Sequence, residues 1–146
     1  MMIRKMEVDD YHDVYQLWLS CQGMGLNNLD DSKEGIAQFL RRNPHTCFVA
    51  LVDQQIVGAI MAGHDGRRGY IYHTAVHSAY RHRMIGTSLV QEVIAALKKE
   101  NIHKVALVVF KKNQEGHAFW EKLGFTVRDD IIYRNKAMSE MIRIDT

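Results

Sequence analysis

The sequence carries a single proline, Pro44, and two cysteines, Cys21 and Cys47. One proline excludes a collagenous or proline-rich disordered chain. The two cysteines show neither metal-ligand nor redox spacing, so a disulfide framework is not expected and a reducing cytoplasm is the expected location. No run reaches the roughly 18 apolar residues of a membrane-spanning helix. Met1 to Asp13 holds Arg4, Lys5, Glu7, Asp9, Asp10 and Asp13 with no apolar stretch between them, so neither a leader nor a membrane anchor is expected. A net charge of +2 speaks against a nucleic-acid binder of the bulk electrostatic kind. Eight histidines are dispersed without paired helical spacing beside acidic residues, so no metal site is expected. Repeats and low-complexity stretches are lacking too.

What is present is an ordinary globular composition: 146 residues, 47% hydrophobic and 25% charged. A chain of that length can bury roughly 68–70% of its unfolded surface, enough for one domain over residues 1–146. Met2 to Val8 reads as a first strand. Asp9 or Asp10 then caps a helix with Val14, Leu17, Trp18 and Cys21 at three-to-four spacing. The Gly-, Asn- and Asp-rich stretch Gln22 to Asp31 is a loop. Ser32 opens a second short helix stopped by Asn43-Pro44. Thr46 to Val52 and Gln55 to Ala62, separated by Asp53-Gln54, predict an antiparallel hairpin, followed by a strand from Tyr70 to Val76. Ile85, Leu89, Val93 and Leu97 give one helix a broad apolar face. Val105 to Phe110 reads as a buried central strand. Asn113 caps a helix from Gln114 to Leu123 with Gly124 at its end, and Phe125 to Val127 and Ile131 to Tyr133 read as terminal strands. The pattern is a mixed α/β domain.

The junction Tyr80-Arg81-His82-Arg83-Met84-Ile85-Gly86-Thr87-Ser88-Leu89 is the most informative segment. A strand, a basic turn and then a helix present backbone N–H groups and a helix N-terminus to an anion, which points to a phosphate-bearing ligand. Arg81 and Arg83 add charge. Read with Lys111 and Lys112, the same arginines suggest a nucleic-acid patch, but the near-neutral net charge and the lack of interleaved exposed aromatics disfavour it.

With these residues in view, the chain resembles the GCN5-related N-acetyltransferase (GNAT) family from about Ile3 to Lys136. Val76 followed by Arg81-His82-Arg83-Met84-Ile85-Gly86 is similar to the family's cofactor loop, Gln/Arg-x-x-Gly-x-Gly/Ala after a strand ending in Val. Asn113, Gly116, Phe119, Trp120, Gly124 and Phe125 match its Asn-x-x-Ala-x-x-Phe-Tyr-x-x-x-Gly-Phe helix in register, and the order of elements is the family's. The resemblance implies a central mixed sheet of about six to seven strands flanked by about four helices. It also implies acetyl-CoA as cosubstrate, an amine acceptor and direct acetyl transfer in a ternary complex, and it leaves a homodimer open.

The pyrophosphate would then meet Arg81, His82, Arg83, Met84, Ile85, Gly86, Thr87 and Ser88. The pantetheine would lie along Thr74, Ala75 and Val76, with Asn113 and Trp120 reaching in from the neighbouring helix. A backbone N–H near Val76 would polarise the thioester carbonyl. Two residues depart from the pattern. Met84 stands at the first glycine of the loop, which costs energy if its φ is positive. Trp120 stands at the usual tyrosine, and an indole N–H is no acid near neutral pH, so the thiolate would take its proton from water, with slower turnover, unless Tyr72 or Tyr133 substitutes. For the base the strand offers Tyr72 and His73, with His64 on the preceding strand. The acceptor site is expected between Gly23 to Asp31 and His64 to Gly69, where Asp30, Asp31 and Asp65 can attract a cation and Arg67 and Arg68 can hold a carboxylate. Neither Cys21 nor Cys47 has an activating histidine in its segment, which disfavours a covalent thiol route. Trp120 keeps a non-catalytic acyl-CoA-binding module as the competing reading.

Overall fold

The computed structural model describes residues 1–145. Five strands form one sheet in sequence order: β1 (Met2–Lys5), β2 (Phe48–Val52), β3 (Gln55–His64), β4 (Gly69–Val76) and β5 (Val105–Ala106). The first four are antiparallel neighbours, and β5 runs parallel to β4. Helices α1 (Tyr11–Ser20) and α2 (Lys33–Arg42) cover one face, α3 (Ile85–Lys99) covers the other, and α4 (Gln114–Lys122) follows β5.

The two faces of the sheet have separate cores because side chains alternate along each strand. Val49, Ala59, Met61 and Ala75 meet Val14, Leu17 and Trp18 of α1 and Ile36 and Leu40 of α2. Phe48, Ala50, Ile60, Ala62 and Ile71 meet Ile85, Leu89, Val90, Val93 and Leu97 of α3. The expected hairpin is there, and its two-residue turn places both Asp53 (φ 49°) and Gln54 (φ 66°) in the left-handed region that such turns require. Ser32 Oγ accepts from Gly35 N at 3.0 Å, capping α2 as expected. Beyond α4, Gly124 N donates to Glu121 O and Phe125 N to Trp120 O, both at 3.0 Å, closing the last turn as a Schellman motif.

Three expectations need correction. Asp10 precedes α1, but its carboxylate turns back to take Glu7 N at 2.9 Å and both terminal nitrogens of Arg4 at 2.8 Å, so it fastens β1 rather than capping α1. The hydrogen bonds from Arg4 hold that carboxyl below the usual range. The strand expected from Val105 to Phe110 pairs only at Val105 and Ala106. The strands expected at Phe125 to Val127 and Ile131 to Tyr133 are irregular, with Ile132 83% exposed, so the described sheet has five strands rather than six or seven. Strand preference is realised only against a partner edge with side chains to pack on, and β5 offers two residues of edge.

The C-terminal segment docks elsewhere. Asn28 N donates to Ile142 O and Ile144 N to Leu26 O, each at 3.0 Å, while Asp145 accepts from Leu26 N at 2.7 Å and Met24 N at 3.2 Å. The chain end therefore splints the loop between α1 and α2. The other end of that loop crosses α2 at Gly35, where an added Cβ would stand 2.3 Å from Leu29 O and 2.4 Å from Asp30 O.

This packing makes two substitutions informative about stability. Gly35→Ala forces the Leu29–Asp30 main chain to move and is expected to cost about 1–3 kcal/mol, read as a fall in thermal midpoint of roughly 2–4 °C per kcal/mol. Met84, just before α3, has φ 64° and a side chain 63% exposed, so its left-handed backbone is not offset by burial. Met84→Gly is expected to raise stability by about 0.5–1 kcal/mol in denaturant titration; an unchanged or lower midpoint would contradict that reading of the turn.

Candidate active site

The site originates in an irregularity of β4. Ile60 pairs with Thr74 and Ala62 with Ile71, so Met61 alone stands opposite both Tyr72 and His73. Such a bulge puts two consecutive side chains on one face, where regular alternation would separate them. The Tyr72 ring lies 5.5 Å from Phe39 of α2, and the His73 ring lies 4.8 Å from Trp18 of α1.

His73 Nε2 and Asp31 Oδ1 are 2.6 Å apart, with side chains 14% and 4% exposed. The other Asp31 oxygen accepts from Asn27 N at 2.8 Å, and the Asp31 main-chain carbonyl accepts from Tyr11 Oη at 2.7 Å. An ionised Asp31 can only accept, so it fixes the imidazole proton on Nε2 and leaves the Nδ1 lone pair for the cleft that His73 lines. His64 is engaged otherwise: Nε2 meets Glu100 at 3.2 Å and Nδ1 accepts from Gly66 N at 3.0 Å. Of the two histidines weighed for the base, that leaves His73 with a ring nitrogen that has no partner among the described residues. Burial, with Tyr133 and Asp30 close by, pushes the Tyr72 phenol above its usual value, so it stays protonated at neutral pH.

β4 and β5 are paired only at Gly69↔Val105 and Tyr70↔Ala106, after which β4 continues to Val76 with an open edge among the described residues. His77 N donates to Val57 O at 2.8 Å, so by antiparallel alternation Thr74 and Val76 turn their main-chain groups away from β3 toward that edge. Ala75 faces the opposite way, its main chain toward β3 and its side chain buried. The outward direction of Val76 is confirmed by its carbonyl, which accepts from Arg81 Nε at 3.2 Å.

At the end of the open edge, α3 begins. Its first helical bond runs from Ser88 N to Met84 O at 2.9 Å, so the N–H groups of Ile85, Gly86 and Thr87 have no helical acceptor and lie at the cleft wall. The turn ahead of them is formed without glycine, with His82 (φ 62°) and Met84 both left-handed. Arg81 and His82 line the cleft; Arg83 lies outside its wall, with its guanidinium 5.2 Å over the Tyr80 ring. Ser88 is also outside, its hydroxyl donating to Met84 O at 2.8 Å. Gly86 allows close approach of α4, since an added Cβ would stand 3.1 Å from the Phe119 ring. Asn113 Oδ1 accepts from Gly116 N at 2.9 Å, leaving its amide N–H groups for the cleft. Trp120 packs edge-on between Phe119 and Phe125 while also lining the cleft, and Tyr133 lines it too.

Of the charges expected to receive an acceptor, Asp30, Asp31, Asp65 and Arg68 line the cleft. Asp65 is engaged by Arg67 N and Arg68 N, each at 2.8 Å, and Arg67 is not part of the wall. The link from Asp31 to His73, 42 residues apart, has no signal in sequence spacing. Neither has Cys21, whose thiol stands 3.8 Å from Val76 O and 3.9 Å from Arg81 Nη2. Cys47 is buried, which pushes its thiol up to about 12 and keeps it protonated.

Residues 11–125 match the model of the acetyltransferase (GNAT) family. The chain is 32% identical over 140 residues to an acetyltransferase of Sodalis glossinidius, covering 96% of this chain and 97% of that one, and 33% identical over 131 residues to an acetyltransferase of Pectobacterium atrosepticum, covering 90% and 92%. Among solved structures, the PaiA N-acetyltransferase of Thermoplasma acidophilum in complex with coenzyme A superposes with a TM-score of 0.77 at 21% identity, covering 97% of this chain and 96% of that one. Ard1 of Thermoplasma volcanium does so at 0.74 and 23%, covering 87% and 83%; these two likenesses concern the fold. Sequence and fold agree with the open strand edge and the unpartnered helix start, and the chain belongs to the GNAT acetyltransferase family.

Proposed function

We propose that this chain is an acetyl-CoA-dependent N-acetyltransferase acting on a primary amine of a small molecule or a peptide terminus by direct transfer. The observation that carries the reading is the open edge of β4 running into the unpartnered N–H groups of Ile85, Gly86 and Thr87. The residues fit the cosubstrate: an extended amide-bearing arm can add to the edge at Thr74 and Val76, and a pyrophosphate suits the helix start, with Arg81 beside it. Acetyl-CoA supplies a thioester whose acetyl group passes to the acceptor nitrogen while the thiol is released.

The chain's own groups would act around that exchange. Val76 N–H is aimed outward, where it can donate to a developing oxyanion, an interaction worth roughly 3–4 kcal/mol when well aligned. His73 Nδ1 takes the proton that the acceptor nitrogen gives up, while Asp31 holds the ring and balances the imidazolium. An α-amino group, with a usual pKa of about 7.7–8.0, asks far less of this base than a lysine-like amine near 10.4. Tyr72 and Tyr133, both phenols on the cleft wall, would return a proton to sulfur in the role that Trp120 cannot fill. Two unpaired cysteines support a cytoplasmic location. The exposed side chains of Val127, Ile131 and Ile132 support a homodimer.

The test is thiol release from acetyl-CoA over a panel of primary amines. His73→Ala is expected to lower kcat by about 10²–10⁴-fold with the KM for acetyl-CoA unchanged. Asp31→Asn should lower kcat and, in ¹⁵N spectra, unfix the His73 tautomer. Wild-type turnover in His73→Ala would remove the base assignment, and acetyl-CoA binding without turnover of any amine would favour a non-catalytic module.

A further inference from the structure

We propose that the acceptor amine carries a second cationic centre, held beside the reacting nitrogen by the faces of Tyr70, Tyr72 and Tyr133 together with the Asp30 carboxylate. The bulge that brings His73 into the cleft also turns Tyr72 to the same side. There the Tyr70 and Tyr72 rings stand 4.6 Å apart at 46°, and Phe39 braces Tyr72 edge-on at 5.5 Å. Burial raises the phenols of Tyr70 and Tyr72, Tyr133 close to both adds to it, and Asp30 acts on Tyr72 in the same direction. All four side chains line the cleft that contains His73.

Aromatic faces attract a cation through the ring quadrupole, and a nearby carboxylate adds to that field. The protein's own cations do not occupy these rings: among the described residues the cation found over an aromatic face is Arg83, over Tyr80. Asp30 is bound by Asn27 Nδ2 at 3.0 Å, a neutral partner that leaves its charge uncompensated. Arg68, at the turn before β4, and Arg143, bridged to Asn27, line the same cleft, but among the described residues neither forms an ion pair with Asp30 or stands over these rings. A dication with its two nitrogens a few carbons apart therefore places one at His73 Nδ1 and the other among the tyrosines. Only the choice of which nitrogen reacts rests on the acetyl-transfer reading; the cation site itself does not.

Three probes of equal chain length separate the cases: butylamine, 1,4-diaminobutane and 4-aminobutyrate. In the wild-type enzyme with acetyl-CoA, kcat/KM for 1,4-diaminobutane is expected to exceed that for butylamine by about tenfold, with 4-aminobutyrate poorest. The preference should persist in Tyr72→Phe, which keeps the ring, and collapse in Tyr72→Leu and Asp30→Asn. Titration of the coenzyme A complex with each probe, followed by the tyrosine ring resonances, reads the same site without turnover. Tyr70, Tyr72 and Tyr133 should shift with the diamine and hardly with butylamine. Equal use and equal shifts for butylamine and the diamine would overturn the proposal. So would a diamine preference that survives both Tyr72→Leu and Asp30→Asn, or a preference for 4-aminobutyrate. Ring shifts with the diamine but no acetylation of any amine would uphold the cation site and sink the acetyl-transfer reading instead.

Discussion

One extra residue in β4 governs the rest of the structure. Because Met61 faces both Tyr72 and His73, the strand changes its alternation midway: Ile71 packs against α3, His73 and Ala75 face α1, and Tyr72 joins His73 on that second face. A regular strand would turn one of these two side chains toward α3 instead. The bulge also increases local twist, and it coincides with the place where β4 parts from β5. Along that open edge the N–H groups of Thr74 and Val76 face away from β3 and have no strand partner among the described residues.

The second support is the loop between α1 and α2. It buries Leu26 in the core and is held by polar contacts as well: Asp145 accepts from Met24 N and Leu26 N, and Gly35 lets the Leu29 and Asp30 carbonyls lie against α2. That double hold delivers Asp31 to His73 at 2.6 Å and leaves Asp30 facing the cleft. Distant parts of the chain thus converge on one imidazole. Its proton position is set by a carboxylate that is itself fixed by Asn27.

Much of this architecture is legible in the amino-acid sequence. Apolar periodicity locates α1, α3 and the β2–β3 hairpin, because each buries a face of regular spacing, and the residues from Val76 to Gly86 mark the turn that leads into α3. What spacing cannot show is tertiary. The bulge changes no residue type, so Tyr72 and His73 read as opposite faces, and the His73–Asp31 contact joins segments whose adjacency is created only by folding. The β-rich patterns at Phe125 to Val127 and Ile131 to Tyr133 mislead because strand preference does not form strands without an edge to receive them. Met84 is a different case: at a loop position that favours glycine, the structure keeps a left-handed methionine and lets its side chain go to solvent.

The central claim is that the β4 edge and the start of α3 form one continuous main-chain receptor for acetyl-CoA. Its most direct measurement is a ¹H–¹⁵N titration with coenzyme A, following the amides of Thr74, Val76, Ile85, Gly86 and Thr87. The account predicts that these amides shift together and become protected from hydrogen exchange, with Ala75 N–H, bound within the sheet, changing least. Unmoved amides at Ile85 to Thr87 under saturating coenzyme A, or shifts confined to other surfaces, would contradict it.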